Sequence, residues 1–227
     1  MSDIQNNIQE IKKHIREWEI AYGRKPSSVS LLAVSKTHPA EKIRDAIRAG
    51  QVAFGENYLQ ESLEKIALLA DENVEWHFIG PIQSNKTKKI AEHFAWVQTV
   101  SDMNIAKRLS EQRPSHLPPL NICLQVNTSL EITKSGIDPN DVISLADYCI
   151  TLPNLKLRGL MTIPAFKNTF EEQRAELKKL RLIYDMLNER GFKLDTLSMG
   201  MSHDIEAAIA EGATMVRVGT AIFGERE

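Results

Sequence analysis

An apolar run, Leu31-Leu32-Ala33-Val34, leads straight into Ser35-Lys36-Thr37. A lysine at the end of such a strand can hang its stem against apolar surface. The partial desolvation of its amine lowers the pKa and makes a nucleophile of it. The plain alternative is a solvated lysine opening a loop, because exposure is the rule for lysine. Near the other end, Leu197-Ser198-Met199-Gly200-Met201-Ser202 joins a strand to a helix expected to begin at His203-Asp204-Ile205-Glu206. Backbone N–H groups at the helix start, its dipole and the Ser202 hydroxyl suit a phosphate. Ser202 is otherwise an N-cap, with Glu206 complementing the helix end. Last comes Val216-Arg217-Val218-Gly219-Thr220-Ala221-Ile222-Phe223-Gly224. A guanidinium inside an apolar strand needs a partner, either a ligand or a structural carboxylate. Gly219 allows close backbone approach and Thr220 adds a hydroxyl.

Other candidates are less committed. Gln83-Ser84-Asn85-Lys86 follows an apolar run and places Asn85 near the same mouth, while Lys88 and Lys89 read as a solvated face. Thr133-Lys134-Ser135-Gly136 is a loop able to close over the site, with Lys134 as a second amine. The six histidines show no metal-ligand spacing, and the two cysteines, Cys123 and Cys149, sit in separate apolar runs. His77 reads as a satisfied core imidazole. No Walker or Gly-x-Gly-x-x-Gly pattern argues for a nucleotide.

Elements must hold these groups together. Ile4, Ile8, Ile11, Ile15, Trp18 and Tyr22 recur at helical spacing ahead of Gly23 and Pro26, which predicts a lead-in helix. Eight short apolar runs follow: 31–34, 52–54, 76–79, 96–100, 122–126, 157–161, 196–199 and 215–218. Helical stretches alternate with them, at 39–49, 58–69, 86–93, 105–112, 141–150, 171–190 and 203–211. Strict strand–helix alternation demands parallel pairing with right-handed crossovers. Eight units predict an α/β fold, a single (β/α)8 TIM barrel over residues 1–227 with an extra N-terminal helix; a doubly wound open sheet is the alternative. In a barrel, Lys36, Asn57, Ser202 and Gly219-Thr220 all fall at the C-terminal ends of strands, where such folds carry their chemistry. The Pro-rich stretch 113–119 is expected to be an αβ loop and not a linker.

The ordered set Val34-Ser35-Lys36-Thr37, Phe54-Gly55-Glu56-Asn57-Tyr58, Trp76 through Lys86, Arg158-Gly159-Leu160-Met161, Leu197 through Ser202 and Val216 through Gly224 resembles the YggS-like pyridoxal phosphate homeostasis proteins. The resemblance spans nearly the whole chain. It implies a barrel similar to the barrel domain of alanine racemases, with pyridoxal 5'-phosphate held as a Schiff base on Lys36. It further implies that Ser202, Gly219 and Thr220 hold the phosphate, that Arg217 faces the pyridine nitrogen, and that Asn57, Met161 and Ser198 line the ring pocket. Asn85 and Met201 complete the expected cofactor-binding set. A cation beside the pyridine nitrogen keeps it unprotonated and weakens the ring as an electron sink, so amino-acid turnover is expected to be slow or absent. No counterpart after Gly224 is expected for the second, β-rich domain with which alanine racemases supply a tyrosine acid/base. The expectation is a pyridoxal phosphate carrier or buffer serving vitamin B6 homeostasis, meeting apo-enzymes transiently, with no catalytic residue. A low-activity racemase, using Tyr58 or Lys134, is the alternative. A barrel for some other phosphate metabolite is a third reading.

Composition narrows the partners. With 28 basic and 30 acidic side chains in 227 residues, the formal charge is -2, too small to draw nucleic acid or an anionic membrane. No apolar run is long enough to span a bilayer, the N-terminus lacks a leader pattern, and the two cysteines suit a reducing compartment. A cytoplasmic monomer is expected.

Overall fold

The computed structural model describes residues 3–129, 131 and 135–225. Its frame is a closed barrel of eight parallel strands: β1 (Ser30–Val34), β2 (Ala53–Glu56), β3 (Glu75–Phe78), β4 (Trp96–Val100), β5 (Leu120–Gln125), β6 (Leu155–Met161), β7 (Thr196–Ser198) and β8 (Met215–Val218). Sequence order is spatial order, and β8 closes on β1 through the pairs Leu31–Val216 and Leu32–Arg217. Closure leaves no edge strand to protect, which the open-sheet alternative would have required.

The helices between strands are α2 (Ala40–Arg48), α3 (Leu59–Leu68), α4 (Thr87–His93), α5 (Met103–Glu111), α6 (Val142–Ile150), α7 (Phe170–Glu189) and α8 (Ile205–Ala210). Where starts are well capped the signals are local. Asp102 accepts from the Ile105 amide ahead of α5, and Thr169 with Glu172 forms a reciprocal capping box on α7. The lead-in helix α1 (Asp3–Ala21) buries Ile4, Ile8 and Ile15 and lies along α2 and α8. Its Asn7 side chain donates to the Ile222 carbonyl at 3.0 Å, which ties the first helix to α9 (Thr220–Phe223).

Residues 113–119 connect α5 to β5 as an αβ loop. Arg113 pins it by donating to the carbonyls of Ala91, Phe94 and Pro118. Two local expectations are corrected. The helix after β7 begins at Ile205, because Asp204 takes the N-cap position and its carboxylate accepts the Met201 amide at 2.6 Å. Ser202 therefore sits in the preceding turn and is not the N-cap. After β8, which has the expected bounds, the chain turns into the short helix α9.

Candidate functional site

β1 ends on Val34, and the next three residues form a turn whose backbone is held from outside the barrel. The Ser35 hydroxyl is fully buried and donates to Glu56 Oε1 at 2.6 Å. Lys65, buried on α3, donates to the Ser35 carbonyl at 2.8 Å, to Glu56 Oε1 at 2.8 Å and to Glu61 Oε1 at 2.5 Å. Glu61 in turn accepts the Thr37 amide at 2.6 Å. Thr37 has φ 67, a left-handed conformation that a β-branched residue adopts only under constraint. The residues on both sides of Lys36 are thus clamped by one Glu56–Lys65–Glu61 cluster, and Lys36 between them is directed into a cavity at the C-terminal mouth.

That cavity, of about 190 Å3, gathers side chains from six strand ends. Lys36 and His38 follow β1, Asn57 follows β2, Ile79 follows β3, and Met161 ends β6. Met201 and Ser202 come from the turn after β7, and Arg217, Gly219 and Thr220 come from β8 and the start of α9. Asn57 Oδ1 is buried and finds no hydrogen-bond partner, so an acceptor is held in the wall with its capacity unmet. The backbone of Asn57 passes so close to Gly80 that a Cβ there would lie 2.1 Å from the Asn57 carbonyl oxygen. Only glycine at position 80 lets the β2 and β3 loops share this corner. Gly219 is crowded more mildly, since a Cβ there would lie 3.2 Å from the Val34 carbonyl oxygen.

Arg217 is buried at 5% exposure. It donates through Nη1 to Ser198 Oγ and through Nη2 to the Thr162 carbonyl, each at 2.8 Å. Neither partner is a carboxylate, so among the described residues the structural ion pair considered from sequence is not formed. Burial lowers this guanidinium to about 10, with the Asp204 carboxylate holding it up. It is therefore a cation at neutral pH.

Eight of the ten residues singled out from the sequence line this cavity: Lys36, Asn57, Met161, Met201, Ser202, Arg217, Gly219 and Thr220. Two do not. Ser198 is fully buried behind Arg217, inside the barrel. Asn85 lies in a 3-10 turn, Ser84–Lys86, exposed and away from the cavity lining. Lys134 falls outside the described residues. Tyr58 is 54% exposed and is not part of the lining. His77 is, as expected, a satisfied core imidazole, and burial pushes its pKa down. Sequence reasoning missed His38, whose ring stacks on Phe223 at 5.2 Å beneath the mouth. The signal available was its position two residues past Lys36. Burial pushes the thiols of Cys123 and Cys149 to about 12, which removes both as nucleophiles at neutral pH.

Comparison with known proteins places this geometry in company. The family model for the alanine racemase N-terminal domain matches residues 1–227. The pyridoxal phosphate homeostasis protein of Pseudomonas aeruginosa is 57% identical over 227 residues, covering 100% of this chain and 97% of its own. The PipY protein of Synechococcus elongatus, solved with PLP bound, superposes with a TM-score of 0.81 at 39% identity, covering 92% of this chain and 100% of that one. An alanine racemase of Clostridium difficile shares the fold at TM-score 0.74 and 16% identity, over 98% of this chain and 56% of that one.

Proposed function

The chain belongs to the pyridoxal phosphate homeostasis proteins, within the alanine racemase N-terminal domain family, and on that footing we propose that it binds pyridoxal 5'-phosphate on Lys36 and serves to hold, rather than to use, the cofactor. The observation that carries the reading is the meeting, in one cavity, of a strand-end amine, a buried cation and the hydroxyl-bearing loops after β7 and β8.

The residues present fit the group. Pyridoxal 5'-phosphate brings an aldehyde that condenses with a primary amine to a Schiff base, and a pyridine ring that withdraws electrons strongly only when its nitrogen is protonated. Lys36 supplies the amine, and its aim is set by the Glu56–Lys65–Glu61 cluster clamping Ser35 and Thr37. Ser202, Gly219 and Thr220 supply hydroxyls and close backbone for the phosphate, where Thr220 at the first position of α9 has an amide with no intrahelical acceptor. Asn57 with its unmet acceptor, Met161 and Met201 form the wall around the ring. Asn85 has no part in this.

Arg217 decides the chemical character. A guanidinium has only donors, so it can donate to a pyridine nitrogen and cannot protonate it at neutral pH. That disfavours carbanion chemistry. Turnover also wants a second acid/base at the cavity; of the two candidates read from the sequence, Tyr58 is not part of the lining and Lys134 falls outside the described residues, while His38, which does line it, is stacked on Phe223. These points support a non-catalytic carrier or buffer that works inside the cell alongside pyridoxal-phosphate enzymes.

The test is the visible spectrum of purified protein with added pyridoxal 5'-phosphate, before and after borohydride, followed by peptide mass mapping. A yellow band lost on reduction, with the label fixed on Lys36 and absent in Lys36→Ala, is expected. Label on another lysine, or a colourless protein, overturns the assignment. Loss of α-deuterium from amino acids faster than with free cofactor would overturn the non-catalytic part alone.

A further inference from the structure

TIM barrels ordinarily fill the space between their strands with branched aliphatic side chains. Here the interior contains His77 on β3, Gln98 on β4, Ser198 on β7 and Arg217 on β8, the first three wholly buried. Burying so many polar groups is tolerable only if they find partners, and here they answer one another in a single chain. Arg217 Nη1 donates to Ser198 Oγ at 2.8 Å, and Ser198 Oγ donates to Gln98 Oε1 at 2.6 Å. Gln98 Nε2 lies 2.9 Å from His77 Nδ1, and His77 Nε2 lies 2.9 Å from Glu75 Oε1.

The polarity of this chain is fixed from its Arg217 end. Arginine has no acceptor, so Ser198 must accept there and send its one proton onward. The amide oxygen of Gln98 must take that proton, which turns its NH2 toward His77. Nδ1 of His77 must then accept, so the ring proton sits on Nε2 and is donated to the Glu75 carboxylate. Met215 Sδ, 3.1 Å from Gln98 Nε2, is a weak acceptor and fits the same sense. Every donor points from the cavity toward the N-terminal side of the barrel, where Glu75 is 45% exposed.

We propose that Ser198, Gln98 and His77 are positioning residues: a one-way hydrogen-bond relay across the barrel interior that, with the Thr162 carbonyl, orients the Arg217 guanidinium toward the cofactor ring. This deepens the reading of the site given above and rests on it. Two guanidinium nitrogens are occupied by the relay and by Thr162, which leaves the remaining N–H groups for the cavity that Arg217 lines. The relay consequently determines which donor the ring nitrogen meets.

The first measurement reads the relay without cofactor: 15N NMR of histidine-labelled protein, with His77 assigned by its disappearance in His77→Gln. The neutral Nε2–H tautomer is expected, and the Nδ1–H tautomer overturns the proposal. The second compares Ser198→Ala with Ser198→Thr. Removing the hydroxyl takes one hydrogen bond from a charged group, which predicts about tenfold weaker pyridoxal 5'-phosphate binding and a displaced visible band, with Ser198→Thr restoring both. The borohydride label should remain on Lys36 throughout. If Ser198→Ala folds and binds with unchanged affinity and spectrum, the relay does not position Arg217. If no variant and no wild type is labelled while His77 still shows the Nε2–H tautomer, the relay exists and the cofactor assignment is the part that fails.

Discussion

Lys65→Met is the most informative single change outside the cavity. The native lysine side chain is 6% exposed, and the Glu56 side chain whose carboxylate it meets at 2.8 Å is 0% exposed. Methionine keeps most of the stem's volume and removes the charge together with the hydrogen bonds it donates to Ser35, Glu56 and Glu61. Breaking one partner of a buried pair leaves the other charge without compensation, a cost of about 3–5 kcal/mol. Against a total stability of about 5–15 kcal/mol, that is a large fraction. Equilibrium urea unfolding followed by far-ultraviolet circular dichroism reads it directly. The companion is Glu56→Gln in the same background, which removes the stranded anion. The double variant should recover at least about 1 kcal/mol relative to Lys65→Met, the coupling expected of residues in contact. A second readout is borohydride labelling at Lys36, which should slow because Ser35 loses a clamp and Glu61 loses its tether beside Thr37. A loss under about 1 kcal/mol for Lys65→Met, or single-variant effects that simply add, would refute the claim that this cluster holds the lysine turn.

Two further outcomes follow from local geometry. Gly200→Ala should cost about 2–4 kcal/mol in urea unfolding, since φ is 98 and the new Cβ would lie 2.6 Å from that of Ala208. Gly23→Ala, at φ 62 with nothing within 4 Å, should cost only about 1 kcal/mol, and equal losses at the two sites would contradict the steric account. For His77, burial lowers the folded pKa and outweighs the opposing pull of Glu75. The unfolded chain then binds the extra proton first, so stability is complete above about pH 6.5 and falls as pH drops from there toward the folded value, by at most about 1.4 kcal/mol per unit. Urea titrations between about pH 5 and 8 should show a slope that His77→Gln lacks; an identical slope in both would mean that another group carries it.

The barrel was legible because most strands contain a short apolar run bounded by polar turns, and Trp96–Val100 even coincides with β4. The cavity was legible to the extent that strand ends converge in a barrel by topology, which is enough to bring Lys36, Asn57, Ser202 and Thr220 together. Direction within a turn was not. Asn85 is at the right strand end, yet one 3-10 turn faces it to solvent. Depth along a strand was equally hidden, and Ser198 sits one layer below the cavity, where it serves Arg217. The short helix at Thr220–Phe223 carries no signal in the sequence, because four residues cannot display a helical period. Lys65 looks like a solvated helix lysine paired with Glu61 four residues earlier, and nothing local announces that Glu56 from another element buries it.

The interior relay also bears on how the barrel finds its register. A core made only of aliphatic side chains tolerates sliding, because one methyl group replaces another at little cost. A chain of donors and acceptors that starts on a cation and ends on an anion works like the wards of a lock. If β3 slipped by one residue, His77 would face the helices and the Gln98 NH2 group would be sealed inside with only the weak acceptor Met215 Sδ left to it. Each wrong alignment of β3, β4, β7 and β8 therefore strands a polar group where water cannot reach, and the correct closure is set apart from its near neighbours by more than apolar packing alone provides.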